Sequence, residues 1–127
     1  MDISRLKLIE ATRPPLARYG LAAALDRSLE EMPAQLLDLY SETNGFMSPM
    51  GNTVYEAVDL AERNQTFEVA EFSPGFILIG DNSGGRGYLI SLDGGDLKVY
   101  GSDLGDLGPE DFSIEAESIS DWISRMI

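Results

Sequence analysis

"FILIGDNSGGRGYLISLDGGDLKVY", residues 76 to 100, holds three short apolar runs separated by two clusters of turn-forming residues. FILIGD, YLISL and LKVY are each of strand length, and Asp93-Gly94-Gly95-Asp96 between the last two is a strong hairpin signal. Strands joined this closely must pair antiparallel, because a parallel pair needs a crossover of a dozen residues or more. The stretch therefore predicts a β-meander. The first cluster, with Gly80, Gly84, Gly85 and Gly87, also raises the question of a phosphate cradle. A Walker-type loop needs Lys and then Ser or Thr after its second glycine, with a helix starting at once. Arg86 and Gly87 stand there instead, and YLISL meets the next turn too soon for a helix. The dinucleotide pattern fails too, since Ile90 occupies the place of its third glycine. The cluster reads as a hairpin tip, with glycines permitting positive φ or a bulge and with Asp81 and Asn82 folding their side chains back on the chain.

Upstream the pattern is helical. Ile3, Leu6 and Ile9 predict a short helix over 2–11 that stops before Pro14-Pro15. LAAALDRSLEE, Leu21 to Glu31, sets Leu21, Leu25 and Leu29 four apart among strong helix formers. Pro33 opens a further helix that buries Leu36, Leu37 and Tyr40 and ends at Asn44-Gly45. Gly45 to Asn52 reads as a loop. Thr53 and Glu56 then stand in capping-box register ahead of a helix whose apolar stripe is Val54, Ala57, Val58 and Ala61. FEVAEF, from Phe67, reads as the first strand of the meander. At the other end, Ser118 and Asp121 form a second capping-box register, and Ile119, Trp122, Ile123, Met126 and Ile127 give a terminal helix one apolar face. The expected fold is α+β, an antiparallel or mixed β-meander flanked by N-terminal helices and a C-terminal helix. At 127 residues the chain makes one domain, 1–127.

Composition excludes several functions. Without cysteine there is no disulfide framework, thiolate metal site or Cys nucleophile. Without histidine the commonest general base and metal ligand is missing as well. The net charge is -13; residues 1–64 carry 6 basic and 10 acidic groups, residues 65–127 carry 3 and 12. Such a field repels nucleic acid and anionic lipid, whose binding depends on Lys and Arg, and speeds encounter with a basic protein. No apolar run is long enough to span a membrane, and MDISRLKLIEATRPP lacks the layout of a signal peptide, so a cytoplasmic protein is expected. GSDLGDLGPEDFSIEAE, from Gly101 to Glu117, is dense in acids. An EF-hand loop from Asp103 would need ligands at Gly105 and Leu107 and a Glu at Ile114, so the stretch reads as a solvated acidic loop. A carboxylate metal site through Asp103, Asp106 and Asp111 is the weakest alternative. No cofactor is expected. Phe46, Met47 and Met50 are either an adaptable contact surface or residues folded over the core, and Trp122 reads as a core anchor.

In order and spacing these residues resemble the SUKH superfamily, which includes bacterial immunity proteins and fungal cell-wall regulators. The likeness covers roughly residues 33 to 124 and rests on Met32-Pro33, Asn44-Gly45, Ile79-Gly80-Asp81, Gly85 or Gly87, Val99-Tyr100 with Asp103, and Ser118-Ile119. Met32 departs from the usual leucine. The resemblance implies an α+β domain that binds and neutralises a cognate toxin, often a nuclease. A nuclease holds phosphate with positive charge, so a carboxylate face suits it. The candidate partner-binding residues are Asp81, Asp93, Asp96, Asp103, Asp106, Glu110 and Asp111. The expected activity is non-enzymatic binding of a basic toxin domain. The alternative is a regulatory adaptor of the same fold that binds an endogenous protein through the Phe46 to Met50 loop.

Overall fold

A computed structural model of the chain describes residues 18–25 and 31–126. The helix expected over 2–11, Leu29 and Ile127 lie outside the described residues. Among the described residues, six strands, β1 Phe46–Met47, β2 Thr53–Val54, β3 Phe76–Asp81, β4 Arg86–Ser91, β5 Val99–Asp103 and β6 Ser113–Ala116, form one sheet in chain order. Every neighbouring pair is antiparallel. The helices are α1 Arg18–Leu25, α2 Ala34–Glu42, α3 Ala57–Thr66, α4 Val69–Phe72 and α5 Ile119–Met126. The fold is thus α+β with the expected meander.

Register assigns the two faces of the sheet. Ile90, Val99 and Ala116 stand in line across β4, β5 and β6, and Tyr88 shares their side of β4. α5 covers this face: Trp122 meets Tyr88 with ring centroids 5.0 Å apart, while Ile119 and Ile123 are fully buried. α2 is tied to the same assembly through Gln35, whose amide donates to the Leu97 carbonyl at 3.0 Å and accepts from the Ile119 N–H at 3.1 Å. Leu36, Leu37 and Tyr40 are buried as the helical spacing requires. On the opposite face, Leu78, Leu89 and Tyr100 line up. Here the β5–β6 connection folds back over the sheet, setting Phe112 against Phe76 and Tyr100 at centroid distances of 5.1 and 5.9 Å. Such edge-on and tilted ring pairs add roughly 0.5–1.5 kcal/mol each beyond the area they bury.

The glycine cluster is a turn. Asn82 Oδ1 accepts the N–H groups of Gly84 and Arg86 at 2.8 and 3.1 Å, Asp81 Oδ1 accepts that of Ser83 at 2.9 Å, and Gly85 has φ +95°. The register shift lies across the ladder, between Leu78 and Gly80.

Four expectations are corrected. Gly45 to Asn52 is not all loop, because Phe46–Met47 is a strand paired to Thr53–Val54. Thr53 and Val54 in turn lie in β2, so the Thr53–Glu56 capping box does not form. α3 instead starts at Ala57, whose N–H is taken by Asn44 Oδ1 at 2.9 Å, a cap supplied from 13 residues upstream. Its buried residues are Ala57 and Leu60, while Val58 is exposed. FEVAEF is no strand: Glu68 takes a left-handed φ of 52° and one helical turn follows. A strand there would lack a ladder to join, since Asn64 Oδ1 accepts the Leu78 N–H and its amide donates to the Leu78 carbonyl, each at 2.8 Å, closing that edge of β3. Finally, residues 101–117 are not a plain loop, for they contain the end of β5, a 3₁₀ turn at Pro109–Asp111, and β6.

Candidate functional site

A meander alternates its connections between the two ends of the sheet, and this sorts the candidate acids. The β3–β4 tip and the start of the β5–β6 connection share one end, and the β4–β5 connection leaves from the other; the β5–β6 connection then folds back over the sheet toward Ser73 and Phe76. Asp103 ends β5, Asp106, Glu110 and Asp111 follow on the β5–β6 connection, and all four are exposed. Asp81 is at the same end, two strands across: it pairs with Gly87, and Gly87 pairs with Ser102. Asp93 and Asp96 sit at the far end. The seven candidates are therefore divided between the two ends of β4 by the elements that carry them.

Their local bonds differ as well. Asp81 is half-buried and accepts the Tyr55 hydroxyl at 2.6 Å. Burial, with that carboxylate beside it, pushes the Tyr55 phenol far above its ordinary pKa, so Tyr55 remains a hydrogen donor. Asp93 accepts the Gly95 N–H at 3.0 Å, a turn-forming bond. Asp96 accepts the Tyr100 hydroxyl at 2.6 Å and the Lys98 N–H at 3.0 Å. The Tyr100 bond holds the Asp96 carboxyl below its usual range and pushes the phenol up to about 12. Asp103 accepts the Gly105 N–H at 2.7 Å. Asp111 is different in kind. The Asp106 charge beside it raises its carboxyl pKa, with Glu110 adding to the effect, so this end of the sheet concentrates like charge. Among the described residues, no three His, Cys, Asp or Glu side chains are grouped to hold a metal ion.

Among the described residues, three arginines are engaged by other acids. Arg86 engages Glu115 and Ser113 across β5, Arg125 reaches Asp121 at 3.2 Å, and Arg63 reaches Glu62 at 3.4 Å. From Val99 to Ser124 the chain has no Lys or Arg.

Facing the β5–β6 connection across a groove of about 440 Å³ is α4. The Ser73 hydroxyl fastens the two walls by donating to the Leu107 carbonyl. The α4 side leaves no mark in the sequence. The strand expected over FEVAEF would contain Glu71 and Phe72, yet both line this groove and both are exposed. The alternation in FEVAEF hid them, and nothing in that stretch signals a helical turn. The methionine loop is divided: Phe46 is fully buried and unavailable, whereas Met47 and Met50 are exposed. Trp122 is a core residue.

Comparison of the chain with protein-family models and with curated proteins finds no match.

Proposed function

We propose that the protein is a non-enzymatic, cytoplasmic binding protein of the immunity type, which neutralises a basic toxin domain by presenting carboxylates to it. One observation carries the reading: Asp103, Asp106, Glu110 and Asp111 stand exposed on one connection, within a stretch from Val99 to Ser124 that has no Lys or Arg. Crowded like charges cost free energy that an incoming cation returns, and they steer a basic partner at long range. The resemblance to the SUKH superfamily supports the same conclusion through fold class and motif order, although a fold alone assigns no target. The contact surface is the Asp103 to Asp111 end with Asp81 at its margin. Asp93 and Asp96 belong to the separate β4–β5 connection.

No helix among the described residues is long and apolar enough to cross a membrane. The second reading, an adaptor for an endogenous protein, draws on the exposure of Met47 and Met50.

The test is affinity capture from cells carrying the toxin, with wild-type and Asp103→Lys/Asp106→Lys chains as baits. A single cationic protein should stay on the wild-type bait and leave with salt, while the variant, folded as judged by circular dichroism, retains about a tenth as much or less. Equal retention by both baits refutes the reading. Loss on a Met47→Ser/Met50→Ser bait alone establishes the adaptor surface instead.

A further inference from the structure

We propose that the groove between α4 and the β5–β6 connection receives one arginine side chain of a protein partner, its stem against Phe72 and Leu104 and its guanidinium among Glu71, Asp106 and Glu110. This rests on the binding function above and names the chemistry that one part of the surface recognises.

The groove combines features that suit a long amphipathic cation. Its floor is apolar, built from Phe67, Leu104 and the nearly buried Leu107. The hydrogen bond from Ser73 to the Leu107 carbonyl keeps that floor in place, so the cleft is formed before any partner arrives. Phe72 is 54% exposed at its wall, an aromatic ring left open to solvent. Three carboxylates, Glu71 from one wall and Asp106 and Glu110 from the other, also line it, and among the described residues no Lys or Arg does. Both walls also carry a second acid close by. Glu68 has its carboxyl pKa raised by the hydrogen bond to Glu71, and Asp111 has its own raised by Asp106.

Charge complementarity therefore requires a cation, and the apolar floor requires a stem. A bare metal ion supplies no stem and finds no three grouped ligands among the described residues. Arginine supplies both, because its methylenes lie on apolar surface while its planar head stacks on an aromatic ring and bonds carboxylates on two sides. At about 440 Å³ the cleft is of the size that holds small ligands or a long side chain.

The experiment is a titration of the isotope-labelled full chain with hexa-arginine, followed amide by amide in heteronuclear NMR spectra. The expected shifts concentrate at residues 67–72 and 104–110. Phe72→Ala should weaken binding about three- to five-fold, and Glu71→Gln/Glu110→Gln about ten-fold. All three positions are exposed, and unchanged amides elsewhere verify the fold of each variant. Shifts centred on Asp93 and Asp96, or spread over every acid and indifferent to Phe72→Ala, overturn the groove assignment while leaving the acidic binding function standing. Absence of any shift overturns both. Spermidine at equal affinity on the same amides identifies a free polyamine as the occupant and overturns the assignment to a protein side chain.

Discussion

Asn64→Ala is expected to destabilise the protein by about 3 kcal/mol, an effect large for a polar residue on a helix. Asn64 Oδ1 accepts the Leu78 N–H, and its amide donates to the carbonyls of Leu78 and Leu60, all at 2.8 Å. It does the work of a neighbouring strand at the point where β2 has ended and β3 continues. Leu78 itself is fully buried, so water cannot readily replace the lost partner. A buried donor or acceptor left unsatisfied costs about 1–3 kcal/mol, more than the net value of the bond that was removed. Chemical denaturation gives the stability change. Amide exchange gives its location: Leu78 should lose protection well before Leu89 on the next strand. A loss under about 0.5 kcal/mol, the range of an ordinary surface substitution, refutes this role.

Gly80→Ala should cost a similar amount, about 3 kcal/mol, by a different route. A Cβ at position 80 is driven into the Thr53 carbonyl, which is backbone held in the β2–β3 ladder and not a flexible side chain. β2 must move away, and with it the pairs Thr53–Asp81 and Val54–Gly80. Val54 and Phe46, both fully buried, would be displaced together. For a domain of this size the thermal midpoint should fall by about 10 °C. An alanine variant as stable as the wild type would mean that the close approach of β2 to β3 is not tight.

The two cases mark what the sequence disclosed and what it did not. The meander from Phe76 to Tyr100 was legible because strand length, turn residues and alternation are local properties that agree with one another. The face of α5 was legible for the same reason, with Ile119, Trp122 and Ile123 buried at their helical spacing. Asn64 looked like one more polar residue in AERNQT, since a side chain that completes a sheet edge leaves no local mark. The capping box at Thr53 and Glu56 was a correct pattern in the wrong place. Asn44, from before β1, reached the helix start instead, and pairing with β3 drew Thr53 into a strand. In FEVAEF an alternation of period two was overridden because the adjoining edge of β3 was already occupied.

The acidic surface shows the same division. That residues 101–117 are rich in carboxylates is a fact of composition. That Asp93 and Asp96 stand at the opposite end from Asp103 follows from the meander itself, because each successive connection changes ends. The part played by Glu71 and Phe72 could not be read at all, since it depends on α4 facing a connection more than 30 residues later; even the Ser73 to Leu107 bond joins positions 34 apart.

The most direct test of the account is the association rate constant of the captured partner, measured by stopped flow as a function of ionic strength. If the carboxylates at the Asp103 to Asp111 end do the recognition, the wild-type rate should fall by about ten-fold or more from about 50 mM to about 500 mM salt. The Asp103→Lys/Asp106→Lys variant should start near the high-salt value and change little. A wild-type rate indifferent to salt would contradict the account.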